Sequence, residues 1–164
     1  GPLSADLTAQ GQTQEEMVGT LKGVAAFSLG EGHIAGTDLP GLANAVREKV
    51  IDGWGASAAG TPFSAFTGSA SIADGIATFR ALTLETPQAS FAVTGTADLL
   101  RRAADIKAAA SAGETPLLPV PIAVKGKWDA PRIYPDVPGI LDNPAEGFAR
   151  LKNPGALAPQ DGGN

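Results

Sequence analysis

The chain has 164 residues, of which 43% are hydrophobic and only 5% are aromatic. This length suits one domain with a sizeable core, and the hydrophobic content excludes a chain that is disordered throughout. The formal net charge of −5 argues against a nucleic-acid-binding protein, because neutralising phosphates requires a basic face.

Residues 1–9 are predicted to be a flexible N-terminus. Their opening sequence, GPLS, is typical of the remnant left by a cleaved purification tag. No stretch of the sequence approaches the roughly 20 apolar residues that cross a bilayer, and no signal peptide opens the chain. We therefore expect a piece of a longer protein, with any membrane anchor or export signal upstream.

A short helix and a hairpin are predicted next. Thr13 and Glu16 match a capping box, so a helix is expected from there to about Leu21. Residues 24–29 and 33–37 favour extended structure and flank a Gly-Glu-Gly turn, which predicts a β-hairpin.

A second helix is predicted after Asp38. This residue is a typical N-cap, and Pro40 fits the first helical turn, where its missing N–H costs nothing. The apolar residues that follow recur at helical spacing, and we expect their stripe to pack on a sheet. They are Leu39, Leu42, Ala43, Val46 and Val50. Residues 53–60 are predicted to be a loop.

Residues 61–131 predict a ladder of antiparallel strands. Apolar and polar side chains alternate with a period of two, and turn residues such as Asp74-Gly75 separate the segments. One apolar face and one mixed face are typical of an antiparallel sheet that is covered on one side. The predicted strands are 63–72, 76–86, 89–99, 103–110 and 120–128.

The predicted fold class is therefore α+β. A curved antiparallel sheet, made of a hairpin plus a multi-strand meander, is expected to carry one or two short helices packed on one face. This β-rich domain is assigned to residues 10–135. Residues 136–164 are predicted to be a Pro/Gly-rich tail, with one or two helical turns at 145–151 and frayed residues at 156–164.

The sequence offers few groups for catalysis or metal binding. It has no cysteine, and its one histidine, His33, has no nucleophile elbow to accompany it. Glu31 and His33 are too few ligands for a tight metal site. Carboxylates such as Glu85 and Asp98 are better explained as exposed charges at strand edges. We predict no enzymatic activity, no catalytic residue, no metal and no cofactor.

Short motifs at the strand ends follow one another in a characteristic order. They are GEGHIAGTDL at 30–39, TPF at 61–63, IADG at 72–75, LETP at 84–87, VTGTADL at 93–99, LPVPI at 118–122 and VKGKWDAP at 124–131. In this order they resemble the C-terminal region of AsmA-like proteins over about residues 10–136. The matching glycines, prolines and aspartates fit structural roles at turns and caps, so the match transfers no site.

The resemblance implies a non-enzymatic periplasmic module of a bacterial envelope protein, anchored to the inner membrane by an upstream helix. It implies a role in lipid transport between the membranes or in outer-membrane assembly. The expected partners are a phospholipid or another envelope lipid, together with envelope proteins. An apolar sheet face can shield acyl chains, at about 25 cal/mol per Å² of apolar area covered. The candidate groove residues are Phe66, Ile72, Leu82, Leu84, Phe91, Val93, Ile122, Val124 and Trp128.

Two alternatives remain open from the residues. The candidate groove residues can instead form an ordinary core beneath the helix at 39–50. The module would then cap a groove, or dock an envelope partner through an open sheet edge or the locally basic segment 101–132, without binding lipid itself.

Overall fold

The computed structural model describes residues 1–153 and 155. Within these residues the protein is mostly antiparallel β-sheet with three short helices, which agrees with the predicted α+β class. The elements in chain order are β1 (Leu3–Thr8), α1 (Gln14–Gly19), β2 (Lys22–Leu29), β3 (Gly32–Gly36), α2 (Leu39–Ala45), β4 (Ile51–Asp52), β5 (Ser57–Phe63), β6 (Ala65–Ala73), β7 (Ile76–Glu85), β8 (Ser90–Asp98), β9 (Ala103–Ala112), β10 (Thr115–Pro116), β11 (Ile122–Lys127), β12 (Arg132–Pro135) and α3 (Pro144–Lys152).

One large sheet dominates the described part of the chain. Its strands follow the order β1-β2-β6-β7-β8-β9-β11-β12-β4, and β10 pairs with β9 beside this path. All of these pairings are antiparallel. β3 and β5 form a separate two-stranded sheet, and α2 lies between them in sequence. The segment from β3 to β5, residues 32–63, is called the cap below.

The predicted hairpin of β2 with β3 is wrong. Ala25 of β2 pairs with Ala5 of β1 on one side and with Ala70 of β6 on the other. Both edges of β2 are therefore occupied. β3 pairs instead with β5, where Ile34 lies opposite Thr61. The Gly-Glu-Gly sequence at 30–32 therefore links the large sheet to the two-stranded sheet. The turn residues alone did not indicate this, because the pairing partners of β2 and β3 are distant in sequence.

The predicted helix starts are confirmed, and both helices are shorter than predicted. At α1 the backbone N–H of Glu16 donates to Thr13 Oγ1 over 3.1 Å, and the full capping box is present. At α2 the N–H of Gly41 donates to Asp38 Oδ1 over 3.0 Å. α2 ends at Ala45, and residues 46–49 continue as turns, in which the N–H of Arg47 donates to the carbonyl oxygen of Asn44.

Several predicted loops contain more regular structure than expected. The loop predicted at 53–60 already contains the start of β5, and the strand predicted at 63–72 is two strands separated at Ser64. Residues 1–9 were predicted to be a flexible N-terminus. In the structure they include β1, an exposed edge strand that pairs with β2. The helical turns predicted at 145–151 are confirmed by α3. Residues 156–164, predicted to fray, lie outside the described residues.

The core lies where the sheet, α2 and α3 meet. Ile140 is 1% exposed and Val46 is fully buried, and both belong to one hydrophobic cluster with Leu84, Phe91 and Val124. Close packing fixes α3 in this cluster, because a Cβ built on Gly147 would lie 2.6 Å from Ile140 Cγ1. The segment after residue 135 therefore belongs in part to the core, although the sequence predicted a tail.

Candidate apolar ligand site

One face of the large sheet is apolar across six strands. In antiparallel strands, residues directly opposite each other project to the same face. The register therefore places matched apolar residues in rows that cross the sheet. One row is Leu82, Val93, Ala108 and Ile122; a second is Phe66, Leu84, Phe91 and Ala110; a third is Ile106, Val124 and Ile133.

A cavity of about 230 Å³ lies on this face, between the sheet and the cap. Seven of the nine predicted groove residues line it. They are Phe66, Leu82, Leu84, Phe91, Val93, Ile122 and Val124. The structure thus brings together most of the groove residues that the alternation of apolar and polar side chains predicted. Several of them, such as Leu84 and Phe91, also belong to the hydrophobic core.

The other two predicted groove residues do not line the cavity. Ile72 pairs with Ala77 near the other end of β6 and β7, where the chain turns at Asp74 and Gly75. Trp128 follows the last residue of β11 and is 38% exposed. Its backbone carbonyl nevertheless contributes to the site, because it accepts a hydrogen bond from Trp54 Nε1 over 2.6 Å.

Eight lining residues were not among the predicted groove residues. They are Ile34, Leu39, Leu42, Ala43, Trp54, Ile106, Ala108 and Ile133. The alternation in β9 could have identified Ile106 and Ala108, and the helical stripe in α2 had already marked Leu39, Leu42 and Ala43 as inward-facing. Ile34 and Trp54 carry no such periodic signal. Their place at the cavity follows from the non-local pairing of β3 and β4.

The cap is tied down at the start of α2 by a buried threonine. Thr61 in β5 has no exposed surface. Its hydroxyl accepts a hydrogen bond from the N–H of Leu39 over 2.8 Å and donates one to the carbonyl oxygen of Thr37 over 2.5 Å. Buried polar groups are stable only when they are hydrogen-bonded in this way. The N-terminus of α2 is therefore a fixed wall of the cavity.

The charged residues near the site lie on the opposite face of the sheet. Asp105, Lys125, Arg132 and Asp52 occupy one row across four strands. Lys125 lies 3.7 Å from Asp105, and Arg132 lies 3.2 Å from Asp52. These pairs involve two of the six cationic residues in the basic segment 101–132. They are exposed, so they contribute little to stability.

Lys107 also pairs on this opposite face. Its Nζ lies 2.8 Å from Asp136 Oδ2. The hydrogen bond to the Asp136 carboxylate, reinforced by the attraction between the two charges, raises the pKa of Lys107 above its usual value of 10.5. Lys107 is therefore a cation at physiological pH and points away from the apolar face.

The lining of this cavity is apolar. Every side chain that lines the cavity is apolar, apart from the indole N–H of Trp54. His33 is exposed on β3, and its imidazole packs closely against Gly60. Within residues 1–153 and 155, no group of three or more His, Asp or Glu side chains could hold a metal ion. What the cavity can do is remove an apolar group from water.

Comparison of this chain with protein-family models, with curated proteins and with solved structures gives no match. None of the helices in the described residues has both the length and the apolar character that a membrane-crossing helix requires.

Proposed function

We propose that this chain is a non-enzymatic module of an AsmA-like envelope protein, and that its apolar sheet face shields lipid acyl chains. In this proposal the module is periplasmic, and an upstream segment anchors it to the inner membrane. It takes part in lipid transport between the membranes or in outer-membrane assembly. The observation that carries the proposal is the cavity of about 230 Å³, which seven of the nine sequence-selected groove residues line.

The exposure of the lining supports an occupant. Phe66, Leu82 and Val93 line the cavity and are only partly buried, so part of this apolar surface faces water. An aliphatic chain that covered it would remove that surface from water, at about 25 cal/mol per Å² of apolar area.

The proposal includes a sheet that curves around its ligand, with α2 packed over the apolar face. Two irregularities in the strand register support it. The pairing of β6 with β7 shifts between Thr67 and Ala70, and the pairing of β7 with β8 shifts between Phe79 and Leu82. Bulges of this kind bend a strand and increase its twist. They lie beside the cavity, at the middle of the sheet.

Neighbouring alanines in β9 allow a matched test. Ala108 lines the cavity, whereas Ala109 is exposed on the opposite face. The wild type, Ala108→Leu and Ala109→Leu would each be directed to the periplasm of a Gram-negative host and purified without detergent. Organic extraction and mass spectrometry would then give the lipid bound per protein molecule. We expect phospholipid on the wild type and on Ala109→Leu, and several-fold less on Ala108→Leu.

Two results would overturn the proposal. Folded wild-type protein that yields no lipid would exclude direct carriage. Equal lipid on all three proteins would show that the cavity is not the binding site. Circular dichroism and urea unfolding would first establish that each protein is folded.

A second candidate function is docking or capping without lipid. The outer edge of β1 favours it, because no other strand among the described residues pairs with that edge. All six residues of β1 are exposed, and Leu3 is 73% exposed. An open strand edge can accept a strand from a partner. The lipid-free outcome of the extraction is the result that this function predicts.

A further inference from the structure

Two turns lie side by side at one end of the large sheet. Residues 98–102 span the connection from β8 to β9, and residues 127–131 span the connection from β11 to β12. The Nζ of Lys127 donates to the carbonyl oxygen of Arg101 over 2.7 Å. The backbone N–H of Trp128 donates to the carbonyl oxygen of Arg102 over 3.0 Å. These hydrogen bonds join the two turns into one surface, which is called the tip below.

The tip exposes two large apolar side chains. Leu100 is 45% exposed, and Trp128 is 38% exposed. Asp98 Oδ1 accepts hydrogen bonds from the backbone N–H groups of Leu100 and Arg101 over 3.1 and 3.0 Å, so the turn that carries Leu100 is held in one conformation. One exposed leucine would need no explanation. A tryptophan in the adjoining turn adds to it an apolar area that a partner can cover.

The tip also carries three exposed cations. They are Arg101, Arg102 and Lys127. Arg101 lies 3.8 Å from Asp98. Neither Arg102 nor Lys127 forms an ion pair with any carboxylate of the described residues. Asp129 is the one exposed carboxylate within the tip. The tip is therefore locally basic, on a chain whose formal net charge is −5.

The backbone at Arg102 indicates that its side chain is used outside the fold. Its φ is +53°, in the left-handed region that favours glycine. The one other described residue besides glycine with a positive φ is Asp74, whose residue type tolerates this region. Arginine at this position therefore has a conformational cost that glycine would not have. No hydrogen bond or ion pair from its side chain to another described residue offsets that cost.

We propose that the tip rests on the surface of an anionic lipid bilayer. Indole rings favour the headgroup level of a bilayer, where the apolar ring and the polar N–H are both accommodated. Lysine and arginine side chains are attracted to anionic headgroups. Both features occur together at the tip, in Trp128 and in Arg102 with its two cationic neighbours. A nucleic acid would require a larger basic face than these two turns offer.

This inference goes beyond the proposed function, because contact with a bilayer surface neither requires nor excludes a lipid in the cavity. The two are nevertheless neighbours in the structure. Trp54 lines the cavity, and its indole N–H donates to the carbonyl oxygen of Trp128 at the tip. Contact at the tip would therefore bring the apolar face of the sheet close to the membrane.

Flotation with lipid vesicles tests the inference. The purified chain would be mixed with vesicles of phosphatidylcholine alone, or of phosphatidylcholine with phosphatidylglycerol. The bound fraction would then be measured in a density gradient at several salt concentrations. We expect the wild type to float with the phosphatidylglycerol vesicles and to bind the neutral vesicles much less. Binding should fall as salt is added, because salt screens the attraction between the cations and the headgroups.

Arg102→Gly separates a contact role from a structural role. Glycine suits the positive φ at this position, so the variant should unfold at a urea midpoint close to that of the wild type. It should nevertheless bind the anionic vesicles about fivefold more weakly, since one cation near an anionic surface contributes about this factor. Trp128→Ala keeps the backbone carbonyl that Trp54 contacts and should also bind several-fold more weakly.

Arg80→Gln and Leu141→Ser are the matched controls. Arg80 is an exposed cation in the middle of β7, and Leu141 is 41% exposed beyond β12. Both residues lie outside the tip, so both variants should bind as the wild type does.

The remaining outcomes are decisive. A folded wild type that does not float with the anionic vesicles would overturn the inference and leave a protein as the partner of the tip. Equal binding to the two kinds of vesicle would overturn it as well, and so would equal binding by Arg102→Gly, Trp128→Ala and the controls. Lipid extracted from protein that never met vesicles reports on the cavity separately. Extracted lipid without flotation would overturn the membrane contact alone, whereas flotation without extracted lipid would overturn the proposed function alone.

Discussion

Filling the cavity from α2 should stabilise the protein. Ala43 is 3% exposed and lines the cavity, so its Cβ points into unoccupied space. Leucine adds three carbons to alanine, equivalent to three methylene groups and worth about 2.4 kcal/mol at about 0.8 kcal/mol each. Fixing the longer side chain costs about 0.5–1 kcal/mol. Ala43→Leu should therefore raise the free energy of unfolding by about 1.5 kcal/mol.

Ala123 provides the matched control. It belongs to the same hydrophobic cluster and is fully buried, but it does not line the cavity. Ala123→Leu must force its extra carbons into close-packed surroundings, which typically costs about 1–3 kcal/mol. The two substitutions are chemically identical, so the sign of the difference between them reports on the cavity itself.

Urea unfolding in the absence of lipid measures both variants. At an unchanged slope, the midpoint of Ala43→Leu should move to higher urea and that of Ala123→Leu to lower urea. If Ala43→Leu destabilises the protein as much as Ala123→Leu does, the space beside Ala43 is filled by protein and the reasoning is refuted.

Three further predictions concern the surroundings of the site. Thr61→Val should lower the free energy of unfolding by about 1–3 kcal/mol, because it leaves the partly buried N–H of Leu39 and carbonyl oxygen of Thr37 without their partner. Thr61→Ser keeps the hydroxyl and should cost much less, as measured by the same urea titration. The raised pKa of Lys107 means that its pairing with Asp136 stabilises the fold fully below pH 10.5 and is lost as the pH rises through the raised value. The urea midpoint should therefore decline on the alkaline side, less steeply in Lys107→Met, and an identical decline in both proteins would contradict the pairing. Gly147→Ala should lower the thermal midpoint, because the new Cβ would lie 2.6 Å from Ile140 Cγ1. This clash should outweigh the higher helix propensity of alanine. A raised midpoint would show that α3 is not packed against Ile140 as described.

The parts of the fold that local chemistry determines were predictable from the sequence. Thr13 and Asp38 mark helix starts because their side chains satisfy backbone N–H groups a few residues away. The alternation from Leu82 to Val93 likewise identified strands and their apolar face, since side-chain direction follows from the pleat alone. These signals require no knowledge of distant partners.

The parts that depend on distant partners were not predictable. β1 and β6 occupy both edges of β2, so β3 pairs with β5 instead. The residues in the turn between β2 and β3 carry no signal of these distant pairings. Ile72 and Leu84 have the same apolar character and lie on the same sheet face, yet Leu84 lines the cavity and Ile72 does not. The difference arises from where the cap crosses the sheet. Trp54 became part of the site for the same reason.

The most direct test of the central claim is to locate a bound chain on the sheet. Solution NMR of protein with labelled Ile, Leu and Val methyl groups, in the presence of decanoate, would measure nuclear Overhauser effects between ligand and protein. The account predicts contacts from the ligand to the methyl groups of Leu82, Val93 and Val124, and none to Ile72. Contacts confined to Ile72 or to Leu3 on the free edge, or a folded protein that shows no contacts with the ligand, would contradict it.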